Sequence, residues 1–160
     1  MRSIGILTLG FCVAFIGFYI TNRLILKSKQ LKRIIYLINF FAQKITYRKE
    51  TVGEIINSAS DDKDFVFLLF KNEQYDERYF TKICFKNKEL YIDDEQKKML
   101  YEFFCGLGKT DLSGQIAHCK VYKAAFEQFL IKSDEENRNK IKLYPSLFIL
   151  LGMLVVLILF

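Results

Sequence analysis

Gly106-Leu107-Gly108-Lys109-Thr110 ends like a phosphate-binding loop, in which backbone N–H groups and a lysine cradle the phosphates of a nucleotide. The eight-residue pattern would put its first glycine at Phe103, and the preceding Asp93–Phe104 stretch reads as a helix where such a loop needs a β-strand. The segment is therefore read as a tight turn between helices. His118 beside Cys119 suggests a nucleophile with its base, but adjacent helical residues point to different faces and do not easily share a hydrogen bond. Cys12, Cys84, Cys105 and Cys119 have no CxxC spacing, so neither a zinc site nor a redox pair is indicated, and a reducing cytoplasm would leave them as thiols. The clusters Asp61-Asp62-Lys63-Asp64, Asp93-Asp94-Glu95 and Asp134-Glu135-Glu136 could attract a cation, yet consecutive carboxylates at helix starts usually serve as caps and solvated faces. No catalytic residue, cofactor or metal ligand is expected. The rival in which the chain is an enzyme is a small membrane hydrolase using His118 or Cys105.

The elements that carry these residues are set by a partition of charge. Ile4–Asn22 and Leu143–Phe160 contain no charged residue, and every charge except Arg2 lies between Arg23 and Lys142. Nineteen helical residues span about 28 Å, close to the roughly 30 Å hydrocarbon core of a bilayer, and the C-terminal run of eighteen is nearly as long. Thirteen of those eighteen are Leu, Ile, Val or Phe, each favouring insertion by roughly 0.3–0.6 kcal/mol near the bilayer centre. An ordinary soluble protein is excluded. The N-terminal run reaches Thr21-Asn22 without a small-x-small cleavage pattern, which favours an uncleaved anchor over a signal peptide.

Orientation follows from the flanks. Eight basic residues from Arg23 to Lys49 precede any acid, and Arg138, Lys140 and Lys142 adjoin the second span, against Arg2 alone on the other side. The excess of Lys and Arg predicts a cytoplasmic middle segment. Of the net +6, the basic share is membrane-proximal and attracted to anionic lipid, whereas Glu50–Asn137 holds 12 basic and 18 acidic residues, a net −6. Nucleic acid is not an expected partner, because no basic stripe with interleaved aromatics survives in that acidic body.

Three regions follow: a transmembrane helix over 1–22, a cytoplasmic helical domain over 23–142 and a transmembrane helix over 143–160. Phe18–Val52 lacks Gly and Pro, and Leu31, Ile34, Ile35, Ile38, Phe41, Ala42 and Ile45 recur at helical spacing, so the first span should continue as a helix. Glu50 or Thr51 could start a short helix through Ser58, and the apolar runs Phe65–Phe70 and Tyr79–Phe85 fit either helix or strand. Asp93 or Asp94 should cap a helix carrying Met99, Leu100, Phe103 and Phe104, and Asp111 should cap a long last helix marked by Ile116, Cys119, Tyr122, Phe126, Phe129 and Leu130. Pro145 should kink or restart that helix. The expected fold is all-α, an antiparallel cytoplasmic bundle flanked by two membrane helices. Gly10, Ala14 and Gly17 share one face of the first span and Gly152 lies in the second; they either let the spans pack closely or are incidental, since glycine is common in membrane helices.

Phe103-Phe104-Cys105-Gly106-Leu107-Gly108-Lys109-Thr110-Asp111-Leu112-Ser113-Gly114-Gln115 resembles the F-G-x-x-L-G-x-[ST]-D-x-x-x-Q pattern of the stage III sporulation protein AB family. Tyr47–Glu54 is similar to that family's Y-x-x-T-P-L-x-E stretch, and the order of span, basic helix, bundle and final span agrees as well. Phe104 stands where the family often has Gly, and Glu50-Thr51 where Thr-Pro is common. The resemblance implies a structural platform subunit of the channel joining mother cell and forespore during endospore formation, sited in the outer forespore membrane. The family is similar to the inner-membrane platform proteins of type II secretion and type IV pilus machines, so the implied partners are a stage III sporulation protein AA-like ATPase, other membrane subunits of the channel and further copies of the chain. The alternative is a platform or adaptor in a pilus-like apparatus of vegetative cells. Phe103, Leu107, Gly108, Asp111 and Gln115 either hold the bundle together or contact a partner.

Overall fold

The computed structural model describes residues 2–48, 50–69 and 75–159. Among them there are helices and turns and no strand. Helix α1 runs over Arg2–Gln43 and ends in a π-helical turn, Lys44–Arg48; α2 is Val52–Ser60; α3, Glu77–Thr81, also passes into a π-helical turn, Lys82–Lys86; α4 is Asp94–Gly106 and α5 is Leu112–Leu159. Two of these helices, α1 and α5, contain stretches long and apolar enough to cross a membrane. Of the two open apolar runs, Tyr79–Phe85 is helical, and Phe65–Leu69 forms successive turns closed by Phe65 carbonyl bonds to the Leu68 and Leu69 amides. Phe70 lies outside the described residues.

The chain divides into two compact units, one of 1–28 with 132–160 and one of 29–131. In the first unit the usual burial pattern is inverted. Gly10, Gly17 and Gly152 are buried, while Phe15 is 77% exposed and Leu157 81%. A surface of that kind is costly in water and suited to lipid. Helix α5 continues through Pro145, so of the expected kink or restart the restart does not occur. Proline lacks the N–H that would bond the Ile141 carbonyl, and beside it the Ser146 hydroxyl donates 2.9 Å to the Leu143 carbonyl of the same turn.

The second unit is organised by apolar periodicity. Leu31, Ile34, Leu37, Ile38, Phe41 and Ile45 are buried along α1 and its π-turn; Ile55, Ile56 and Ala59 join from α2, Leu100, Phe103 and Phe104 from α4, and Cys119 and Phe126 from α5. Aromatic rings tie the helices together: Phe41 meets Phe103 edge-on at 5.8 Å, and Phe80 stacks on Phe104 at 5.3 Å. Such pairs fix helix placement more narrowly than burial alone.

Each short helix has its own start signal. Thr51 and Glu54 form a reciprocal capping box, in which the Glu54 carboxylate accepts 2.8 Å from the Thr51 amide and the Thr51 hydroxyl accepts from the Glu54 amide. Asp93 and Gln96 do the same for α4. Gln30 on α1, only 6% exposed, donates to the Glu89 carbonyl and accepts 2.7 Å from the Tyr91 amide, satisfying two backbone groups of the segment leading into α4.

Candidate functional site

The turn between α4 and α5 brings the singled-out residues together. Phe103 is fully buried and Leu107 is 8% exposed, so both belong to the core beneath the turn. Leu107 ends α4, its amide bonding the Phe104 carbonyl at 3.3 Å. Gly108 then takes φ of +77°, the left-handed region that lets the chain reverse and that costs glycine nothing sterically. Lys109, Thr110 and Asp111 follow on the exposed side of the turn.

Asp111 starts α5. Its carboxylate accepts 3.0 Å from the Gly114 amide and 2.8 Å from the Ser113 hydroxyl, and its carbonyl accepts 2.9 Å from the Gln115 amide. The Ser113 hydroxyl bond, followed by the Gly114 amide, holds the Asp111 carboxyl below its ordinary value. Gln115 reaches back 2.9 Å to the Thr110 carbonyl. A Cβ at Gly114 would stand 2.8 Å from both the Asp111 carboxylate and the Thr110 side chain. The turn is closed by its own polar groups.

His118 completes the site as a packed histidine. Its Nε2 lies 3.0 Å from the Phe103 carbonyl, and its ring stacks on Phe103 and tilts against Tyr122. Gly106 leaves the space for that ring: a Cβ there would lie 2.2 Å from His118 Cε1. The available signal was Gly106 in the last turn of an otherwise helical run, a position where backbone approach by a bulky neighbour is a standing reason for glycine. Burial pushes the adjacent Cys119 thiol up to about 11, and it also raises Cys84. Cys105 is half-buried. Among the described residues no three His, Cys, Asp or Glu side chains are grouped to hold a metal ion.

Val52, from the stretch singled out around Tyr47 and Glu54, lies against this turn. A Cβ placed on Gly108 would touch Val52 at 3.5 Å, so the capped start of α2 adjoins the α4–α5 reversal. Tyr47 is 83% exposed and Leu112 45%. The second set of singled-out residues lies in the other compact unit. A Cβ on Gly10 would stand 2.6 Å from Val156 and 3.2 Å from the Gly152 carbonyl, one on Gly152 2.7 Å from the Gly10 carbonyl, and one on Gly17 2.6 Å from Phe148. Gly10 and Gly152 bring the two apolar helices into backbone contact, and Gly17 makes room for the Phe148 side chain. The Ala14 side chain lies outside those described.

The family model of stage III sporulation protein AB matches residues 2–160, both apolar helices and the α4–α5 turn included. The chain belongs to the stage III sporulation protein AB family. Its role therefore lies in sporulation, and its two apolar helices fit a membrane protein. No curated protein and no solved structure matches the chain. As a member of this family, the chain presents the Phe103–Gln115 pattern as a self-capped reversal whose Phe103, Phe104 and Leu107 are buried in the core and whose Gly108, Lys109, Thr110 and Asp111 face outward.

Proposed function

We propose that the chain is a non-enzymatic platform subunit of the channel between mother cell and forespore. It sits in the outer forespore membrane with both termini across the bilayer and its 29–131 unit in the mother-cell cytoplasm. The observation that carries this reading is the family match over nearly the whole chain, joined to two apolar helices that flank a helical body. The orientation rests on the Lys and Arg excess at the inner ends of both spans.

The cytoplasmic body docks a stage III sporulation protein AA-like ATPase and contacts other membrane subunits of the channel or further copies of itself. Its acidic balance over Glu50–Asn137 supports electrostatic attraction of a basic ATPase surface. The outward-facing residues of the α4–α5 turn supply a rigid contact edge, whereas Phe103 and Leu107 act by holding it. A scaffold role is supported by the engagement of His118 with the Phe103 carbonyl and by the raised Cys119 thiol, which leaves little thiolate for nucleophilic work at neutral pH.

Time-resolved imaging of a fluorescent fusion that restores spore yield, inserted at the exposed Lys63, tests the reading. The expected signal lies in the mother-cell membrane around the engulfed forespore. A uniform signal in growing cells, with normal spore yield after deletion, would sink it and favour a vegetative pilus-type apparatus.

A further inference from the structure

The acidic body contains one concentrated exception. A cleft of about 590 Å³ is lined by Val66, Phe67, Arg78, Lys82, Lys86, Asn87, Lys88 and Glu89. Four of the eight lining residues are cations and one is an acid, the reverse of the balance over the rest of the segment. Arg78, Lys82 and Lys86 recur every four residues through α3 and its π-turn, so they form a row along one side, and Lys88 faces them from the following turn. All four are exposed at their rims. The floor between them is apolar: Val66 is 59% exposed and Phe67 is half-buried.

The walls are held in place. Asn87 donates 2.7 Å to the Phe67 carbonyl and accepts 2.9 Å from the Glu89 amide, which joins the floor to the Lys88 turn. Gln30 fixes the chain just beyond by its bonds to Glu89 and Tyr91. Behind the floor, the Arg33 guanidinium lies 5.7 Å from the Phe67 ring centre and 3.7 Å from the Asp64 carboxylate. Arg78, Lys86 and Lys88 have no ion-pair partner among the described residues.

We propose that this cleft is a docking site for an acidic segment of a partner protein, one that presents carboxylates about a helical turn apart around an apolar side chain. Arg78, Lys86 and Lys88 meet the carboxylates, and the Val66–Phe67 floor takes the apolar side chain. A concave site with pinned walls fits such a segment better than it fits the plane of a lipid surface, and its volume far exceeds that of a lone inorganic anion. The inference does not depend on the platform reading, because the same chemistry would hold in any apparatus that contains the chain.

The test uses the full chain in nanodiscs of zwitterionic lipid and a fluorescent helical peptide with glutamates at four-residue spacing around a leucine. Anisotropy should show binding that weakens as salt rises and that disappears when the glutamates become glutamines. The double variant Lys86→Glu and Lys88→Glu should bind about tenfold more weakly, since two rim attractions become repulsions. A lysine-bearing version of the peptide should prefer that variant, a rescue that misfolding would not produce. Val66→Ser should weaken the acidic peptide at every salt concentration. Equal binding by the wild type and the double variant, or no binding at low salt, overturns the proposal. So does a lack of peptide binding combined with attachment to phosphatidylglycerol vesicles that the double variant loses, which would assign the cleft to lipid.

Discussion

Gly106→Ala isolates the contact on which the α4–α5 turn rests. In an exposed helix interior this exchange gains up to about 1 kcal/mol, because glycine is the poorer helix former. Here the new methyl would lie 2.2 Å from His118 Cε1 and 2.6 Å from Nε2. The ring is stacked on Phe103 at 5.6 Å and tilted on Tyr122 at 4.6 Å, so moving it aside gives up both contacts. Relief therefore requires either displacement of α5 from the end of α4, an overpacking cost of about 1–3 kcal/mol, or loss of the Phe103 carbonyl bond, about 0.5–1.5 kcal/mol. The expected net effect is destabilisation by about 1–3 kcal/mol, which for a unit of this size lowers the melting temperature by roughly 4–20 °C. Thermal unfolding of the full chain in nanodiscs, followed by near-ultraviolet circular dichroism, measures it. His118→Ala removes the obstacle, so adding Gly106→Ala to it should be neutral or slightly stabilising, a strong coupling between the two sites. Unchanged or increased stability of Gly106→Ala alone, or simple additivity in the double variant, would refute the reasoning.

Gly152→Leu should separate the two apolar helices, because the Cβ at this position would meet a backbone carbonyl that cannot rotate away. Spin labels on the exposed Phe15 and Leu154 should then report a longer and broader distance, and an unchanged distribution would refute close packing at Gly10 and Gly152. Gln30→Leu should cost about 1–3 kcal/mol by leaving the Glu89 carbonyl and Tyr91 amide without their side-chain partner, and hydrogen exchange at Tyr91 should accelerate. Because folding lowers the Asp111 pKa, its contribution is present above the ordinary carboxylate value and is lost as pH falls through the lower folded value. Asp111→Ala should therefore be less stable than the wild type at neutral pH and approach it in acid; a gap independent of pH would count against the charged cap. If the proposed ATPase docking holds, reversing Asp94 and Glu95, both exposed at the start of α4, should weaken association with a stage III sporulation protein AA-like ATPase at low salt, and unchanged affinity there would reject electrostatic docking.

How much of this was legible beforehand depended on whether the signal is local. Uncharged runs of Ile4–Asn22 and Leu143–Phe160 are visible in the sequence because lipid cannot solvate a side-chain charge or a free backbone group cheaply, so membrane helices must be written as continuous apolar stretches. The starts of α4 and α5 at Asp93 and Asp111 were legible for a similar reason, since a cap acts on amides two or three residues away. The runs Phe65–Phe70 and Tyr79–Phe85 were not, because a short apolar run is compatible with either period until its neighbours are known. Pro145 left two outcomes open, a kink or a restart, and only the surrounding structure decides that the helix does not restart there.

Sequence alone determined the class of the molecule, its membrane-compatible ends, its periodic core faces and its family pattern, all properties carried by residue type within a few turns of helix. Tertiary structure alone decided what the glycines are for and where the cations gather. Gly106 matters through a histidine twelve residues on, Gly10 through a helix at the opposite end of the chain, and Lys88 shares a cleft with Arg78 while Asn87 and Gln30 pin the chain on either side of it. Close approach and charge convergence are properties of chain segments brought together by folding, and no window along a single strand of sequence contains them.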